Sequence, residues 1–470
     1  MSFNIEQSPL WQPIKDITEK GQEARWMAIA ATLHTEKKEF NIVKPRSIDL
    51  KRNYVDSIGD EMYFEAIVGL GDYVKDIYPY KDNLELTIRY VPVKFTNPDY
   101  NEDEEIPSIR YKALFLSAEN QKVDGKDYKN VGAFTLNVKS VTVIKLQLVD
   151  RSLEPLRVLT CGGVYKKTTN GDIISASMGS ISGEAEVEGA PVIDAIDIVD
   201  PDNEQERETT VIPQETKLID LPSYIQQKEG GLYNAGVGNY LQTYKGKSTW
   251  FIYPLYNNKR FESTDADKGK LIIYSVPSCK YFASTKTFKN DGGILYILGT
   301  CDKVMNDDGE ARETDTGSGF KQADAESFLE KPVNLNEEDE VEGARRTLTS
   351  EVNMEKDKKD GVTMTPTAES KISSNPFKAA SDVIIKTGTP LAIEWSYGDA
   401  SLLYPAMPVK FIHLDDTGDE IKRIEVYGTL LTVQATIQQS GKGWASRTFQ
   451  STVGLGIFVD KVVRDGEEEE

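Results

Sequence analysis

Two stretches late in the chain alternate with a period of two so regularly that they restrict what it can become. In one, Phe449, Ser451, Val453, Leu455, Ile457 and Val459 share a face; in the other, Leu431, Val433, Ala435 and Ile437 alternate with Thr432, Gln434 and Thr436. Successive side chains of a strand point to opposite faces, so both stretches read as half-buried strands. Gln439-Ser440-Gly441-Lys442-Gly443 between them is loop material, which makes the pair a long hairpin. A preceding strand over 406–413 turns at Asp415-Asp416-Thr417-Gly418-Asp419, so residues 381–462 read as one β domain.

The same period recurs earlier. Leu84, Leu86, Ile88 and Tyr90 alternate with Glu85, Thr87 and Arg89, and Leu136, Val138, Ile144, Leu146 and Leu148 keep to one side of a later run. Turn signals separate them at Asn97-Pro98, in the acidic run 101–105 and at Asp124-Gly125, as in an antiparallel meander. Residues 40–165 therefore read as another β domain. Before it, Ile17, Trp26, Ile29, Ala30 and Leu33 are spaced for one face of a helix over 16–40, so residues 1–39 read as a helical segment. Asn170-Gly171 between extended stretches is a hairpin signal, and residues 166–215 read as that hairpin followed by an acidic, Pro-containing linker.

At 470 residues the chain exceeds one ordinary core, and two to four domains are expected. Residues 216–301 are rich in Tyr, Trp and Phe, the mark of a β or α+β core or of a partner surface. Residues 302–380 hold few large apolar side chains and much Glu, Asp, Lys, Thr and Ser, and read as a polar extended arm or flexible insertion; residues 463–470 read as an acidic tail. The fold class expected is mainly β: two antiparallel β domains, an N-terminal helix, an aromatic-rich middle domain and a long polar insertion.

Chemistry is sparse. The chain has only two histidines, His34 and His413, so most acid–base and metal chemistry lacks its usual residue; Glu36 lies near His34, with no second ligand at helical spacing. Cys161, Cys279 and Cys301 are odd in number and have no C-x-x-C spacing, which suggests neither a disulfide framework nor a zinc site. Gly69-Leu70-Gly71 and Gly236-Val237-Gly238 lack the third glycine and the strand-then-helix context of a phosphate loop, and read as turns. Acidic clusters at Asp197, Asp200, Asp202 and Glu204 and at Asp307, Asp308 and Glu310 match no EF-hand and read as solvated loops. No G-x-S-x-G elbow occurs. No catalytic, cofactor-binding or metal residue is nominated, no cofactor is expected, and a non-enzyme is favoured. A net charge of −21 argues against gripping nucleic acid, no run approaches the roughly 20 apolar residues of a membrane span, and residues 1–16 have no signal-peptide pattern.

A resemblance adds a specific expectation. Residues 54–60 (Tyr-Val-Asp-Ser-Ile-Gly-Asp), 64–68 (Phe-Glu-Ala-Ile-Val) and 71–88 resemble the opening of hub proteins from contractile phage baseplates; so do Leu221-Pro222-Ser223-Tyr224-Ile225, residues 230–238 (Gly-Gly-Leu-Tyr-Asn-Ala-Gly-Val-Gly) and residues 250–256. The resemblance implies two tail-tube-like β domains, three copies of which close a pseudo-sixfold ring that joins the tail tube to the central spike and leaves a channel for the genome. Its implied partners are further copies of the chain in a homotrimer, the tube protein, the spike protein and baseplate wedge or tape-measure proteins, in a virion tail assembled in the host cytoplasm. An acidic lumen would let DNA pass without adhering. The alternatives are another tail component, such as a tube or wedge subunit or a receptor-binding or fibre-attachment protein, and a tail-borne hydrolase using a carboxylate pair.

Overall fold

The computed structural model describes residues 11–42, 44–92, 108–116, 141–184, 186–187, 190–191, 193–265, 268–276, 285–304, 320–323, 358–359, 362–365, 389–415, 422–440 and 448–459. The expected turns at 97–105 and 124–125, almost all of the arm over 302–380, and the tail lie outside these residues. The protein is mainly β.

The late hairpin is the centre of the fold. Lys422–Gln439 and Phe449–Val459 pair antiparallel from Gly428↔Val459 to Gln439↔Phe449, and Phe449, Ser451, Val453, Leu455, Ile457 and Val459 are all buried. Leu431, however, does not sit with Val433, Ala435 and Ile437. The register shifts between Leu430 and Thr432, so Leu431 is the extra residue of a β-bulge, and its carbonyl accepts the Tyr54 N–H at 2.9 Å. Buried positions change from even numbers (Val426, Leu430) to odd ones (Val433, Ala435, Ile437) across it.

The bulge marks where this strand changes partners. Its first half pairs with Pro408–Asp415 and its second half with Lys44–Asn53. From there two closed circuits run (Figure-of-eight fashion) through the same hairpin. The larger is antiparallel throughout: the hairpin strand Lys422–Gln439, then Lys44–Asn53, Glu61–Gly69, Val141–Asp150, Ile109–Phe115, Leu84–Pro92, Arg25–His34 and back to Phe449–Val459. The smaller runs from the hairpin through Pro408–Asp415, Lys270–Ser275, Ile294–Val304 and Thr389–Ser396, with Lys270–Ser275 parallel to both neighbours. Closure of each circuit removes most open strand edges. The small barrel thus draws strands from the expected aromatic region as well as from 381–462.

A third unit lies against the barrels. Its sheet pairs Val237–Tyr244 antiparallel and Ala195–Ile198 parallel with Lys247–Pro254. Lys247–Pro254 is apolar on both faces because both are covered: Phe251 and Tyr253 join the barrel core, while Trp250 and Ile252 pack with Ile173, Ile174, Met178, Leu221 and Ile225 of two helices, Asn170–Glu184 and Leu221–Lys228. The aromatic stretch is therefore mostly core.

Four expectations are corrected. The helix spans Gln12–Lys20 only, and Arg25–His34 is a strand. Gly21 closes the helix, its N–H bonding Ile17 O at 2.8 Å, and beyond it Ile29, Ala31 and Leu33 are buried at every second residue against Leu84–Pro92. Ile29 and Leu33 suit either period, and long-range pairing decides. Asn170-Gly171 opens a helix, not a hairpin: Thr169 Oγ1 accepts the Asp172 N–H at 3.2 Å, and Asp172 Oδ2 accepts the Thr169 N–H at 3.4 Å, a reciprocal N-terminal cap. Part of the acidic linker is the strand Ala195–Ile198, and Gly69-Leu70-Gly71 enters a helical stretch, Leu70–Asp72, rather than a tight turn.

Because both barrels are built on one hairpin, they are expected to unfold together. Leu455→Ala, which empties part of the common core, should cost about 2–5 kcal/mol. In guanidinium titrations, tryptophan fluorescence and far-UV circular dichroism should give one coincident transition; two transitions would mean that the barrels are independent.

Candidate functional site

The most constrained polar group lies where the barrels and the third unit meet. Arg52, near the end of Lys44–Asn53, is 6% exposed. After it the chain turns through residues 54–60 and returns as Glu61–Gly69. Gly59 sits in this turn because a Cβ there would stand 2.5 Å from Leu153 Cδ1. The turn docks on the third unit, with Leu241 N–H donating to Ile58 O at 2.7 Å.

This path brings Asp60 back onto Arg52. Arg52 Nε donates to Asp60 Oδ1 at 2.9 Å and Nη2 to Asp60 Oδ2 at 3.0 Å, a two-pronged pair. Arg52 Nη1 donates to Ala400 O at 2.7 Å, and Tyr240 Oη donates to Asp60 Oδ1 at 3.0 Å. Beside them Tyr253 Oη donates to Tyr54 O at 2.7 Å, Tyr54 Oη to Gln242 Oε1 at 3.3 Å, and Gln242 Nε2 to Leu403 O at 2.6 Å. The Tyr54 and Tyr240 rings meet edge to face at 4.9 Å. One cluster thus joins the large barrel, the third unit and the segment between Thr389–Ser396 and Pro408–Asp415.

Electrostatics keep its guanidinium and its two phenols protonated. Burial, the largest single influence, disfavours the Arg52 cation, but Asp60 together with the Tyr54 and Tyr240 oxygens more than offsets it and keeps the guanidinium above its ordinary pKa. Burial first, and Asp60 second, pushes the Tyr240 hydroxyl well up; burial also raises Tyr54, against the pull of Arg52. Both phenols therefore stay protonated. Both Asp60 oxygens accept hydrogen bonds, from Arg52 and Tyr240, so the carboxylate acts as a clamp between them.

The residues weighed in the sequence lie elsewhere. His34 is on the large barrel, with Nδ1 3.1 Å from Glu39 Oε1, not Glu36, and Nε2 2.8 Å from Thr87 Oγ1, so it ties three strands. His413 is exposed on Pro408–Asp415. Asp197, Asp200, Asp202 and Glu204 are exposed; Asp202 Oδ2 accepts the Asn234 N–H at 2.8 Å, and among the described residues no three His, Cys, Asp or Glu side chains gather in a metal-binding group. Asp307, Asp308, Glu310 and Cys279 lie outside the described residues. Gly236 has φ of 75°, a true left-handed turn, and Gly238 lies against the Tyr253 ring. A cavity of about 710 Å³ opens at one end of the large barrel, lined by Met27, Ile29, Phe40, Ile42, Val68 and Phe449 among others.

Sequence reasoning missed Arg52 and Asp60 as a pair. The available signal was a lone Arg at an inward position of an alternating strand, with an Asp at the far end of the next turn.

No protein-family profile and no curated protein matches the chain. Solved structures of similar shape include a tail protein from Neisseria meningitidis (9% identity, TM-score 0.41, covering 93% of this chain and 98% of that one). Others are the 43 kDa tail protein of prophage MuSo2 from Shewanella oneidensis (9%, 0.43, 92% and 98%) and an E. coli type VI secretion component (7%, 0.39, 91% and 77%).

Asp60→Ala strands a buried guanidinium and should cost about 3–5 kcal/mol in urea unfolding, whereas Arg52→Met with Asp60→Leu should cost clearly less. Equal losses would show that shape, not charge, matters here. Burial pushes the Cys161 thiol up, and its Sγ lies 3.5 Å from Thr216 O, whereas Cys301 is only half-buried. In a Cys279→Ser background a disulfide reagent should label Cys301 first.

Proposed function

We propose that the chain is a structural virion protein, a subunit of the hub ring that joins a phage tail tube to its central spike. The observation that carries the reading is the fused pair of closed barrels in one chain. Three copies would then present six barrels around an axis, meeting a sixfold tube above and a threefold spike below. The clamp supports it: the two hub-like stretches of sequence meet there, Tyr54 and Asp60 from one, Tyr253 from the other, with Tyr240 and Gln242 between its segments. The net charge of −21 suits a channel that DNA slides through without adhering.

A receptor-binding module, by contrast, would need its aromatics at the surface, and Tyr233, Tyr240, Trp250, Phe251 and Tyr253 are buried. Electron microscopy of the assembled protein tests the proposal: three copies around an open, acidic channel are expected. Six copies would identify a tube or wedge subunit instead, and a basic channel would contradict the role given to the charge.

A further inference from the structure

The outer wall of the small barrel carries an apolar stripe. Leu271, Ile273, Leu295, Ile297, Val409 and Phe411 belong to the common core, which turns Ile272, Tyr274, Tyr296, Leu298 and Ile412 to the other face. Strand register sets Leu298, Tyr274 and Ile412 side by side, with Tyr296 and Ile272 as the next row. A contiguous patch of this kind, unlike scattered apolar residues, marks a contact surface.

Its cover is the helix Gln12–Lys20. Ile14 and Ile17 are 3% and 2% exposed on the stripe, in a cluster separate from the two larger cores. The cover is lightly fixed. Nine residues fall short of the ~12–15 that sustain an isolated helix, and its N-terminus has no side-chain cap. Asp16 pairs with Lys20 at 2.8 Å and with Lys289 at 3.1 Å, but the lysines are 72% and 32% exposed, and such pairs contribute little. Lys286 Nζ also donates to Glu19 O at 2.8 Å, an exposed contact. Backbone pairing with the barrel follows just beyond the helix: Gln22 N–H donates to Phe288 O at 2.7 Å, and Gln22 O accepts the Thr287 N–H at 2.9 Å.

We propose that Gln12–Lys20 is a strap that swings on Gly21-Gln22, opening well short of global unfolding and exposing the Leu298–Tyr274–Ile412 stripe only when open. The strap is independent of the hub reading, since it follows from how the helix is held. Hydrogen exchange on the full chain tests it. Amides of residues 16–21 should exchange on the order of 100-fold faster than those of Ile294–Val304 beneath them, and Ile17→Ala should speed the helix alone. Exchange of helix and strand at one common rate, or equal acceleration of both by Ile17→Ala, would overturn the proposal. Ile17→Asp should raise binding of a hydrophobic dye while leaving the main melting transition in place. A lowered main transition, or no gain in dye binding, would show that the helix is a fixed part of the barrel.

Discussion

Backbone pairing between Lys422–Gln439 and Phe449–Val459 is the constraint on which the rest depends. Each barrel needs both strands to close, and among the described residues neither circuit has another strand with which to replace them. A register slip of one residue would turn Val453, Leu455 and Ile457 outward in both barrels at once. The bulge at Leu431 lets one strand serve both: it resets the alternation between the half paired with Pro408–Asp415 and the half paired with Lys44–Asn53, and the freed carbonyl is taken by Tyr54.

That last bond leads directly to the clamp. Tyr54 follows Arg52 by two residues, so the segment fixed by the bulge is the one that delivers Arg52 and Asp60 to the third unit. A buried ion pair is a weak source of stability in itself, because desolvation offsets most of the attraction. Its value here is geometric. Two carboxylate oxygens, three guanidinium nitrogens, a phenol and a backbone carbonyl are satisfied in only one arrangement, which fixes how the third unit sits on the barrels.

Much of the β architecture was legible because alternation is a local signal: the buried face of Phe449–Val459 can be read from its sequence residue by residue. What was not legible depends on partners far along the chain. Arg25–His34 carries residues that suit a helix as well as a strand, and its pairing with Leu84–Pro92 lies more than fifty residues away. Leu431 continues the alternation perfectly and is nonetheless the bulge, since only the change of partner strand makes it so. The Asn170-Gly171 hairpin failed for a local reason: Thr169 and Asp172 form the stronger signal, and the cap outweighs the glycine. For the site, the stretches holding Tyr54 and Asp60 and holding Tyr253 were visible separately, but that they touch was not.

The polar chemistry follows the same division of labour. General acid–base work needs a side chain with an uncommitted lone pair facing a cleft. Asp60 accepts from Arg52 and Tyr240, His34 is flanked by Glu39 and Thr87, and Gln242 spans Tyr54 and Leu403, each joining segments distant in sequence. In these three cases a group that could act on a substrate is turned on the chain itself.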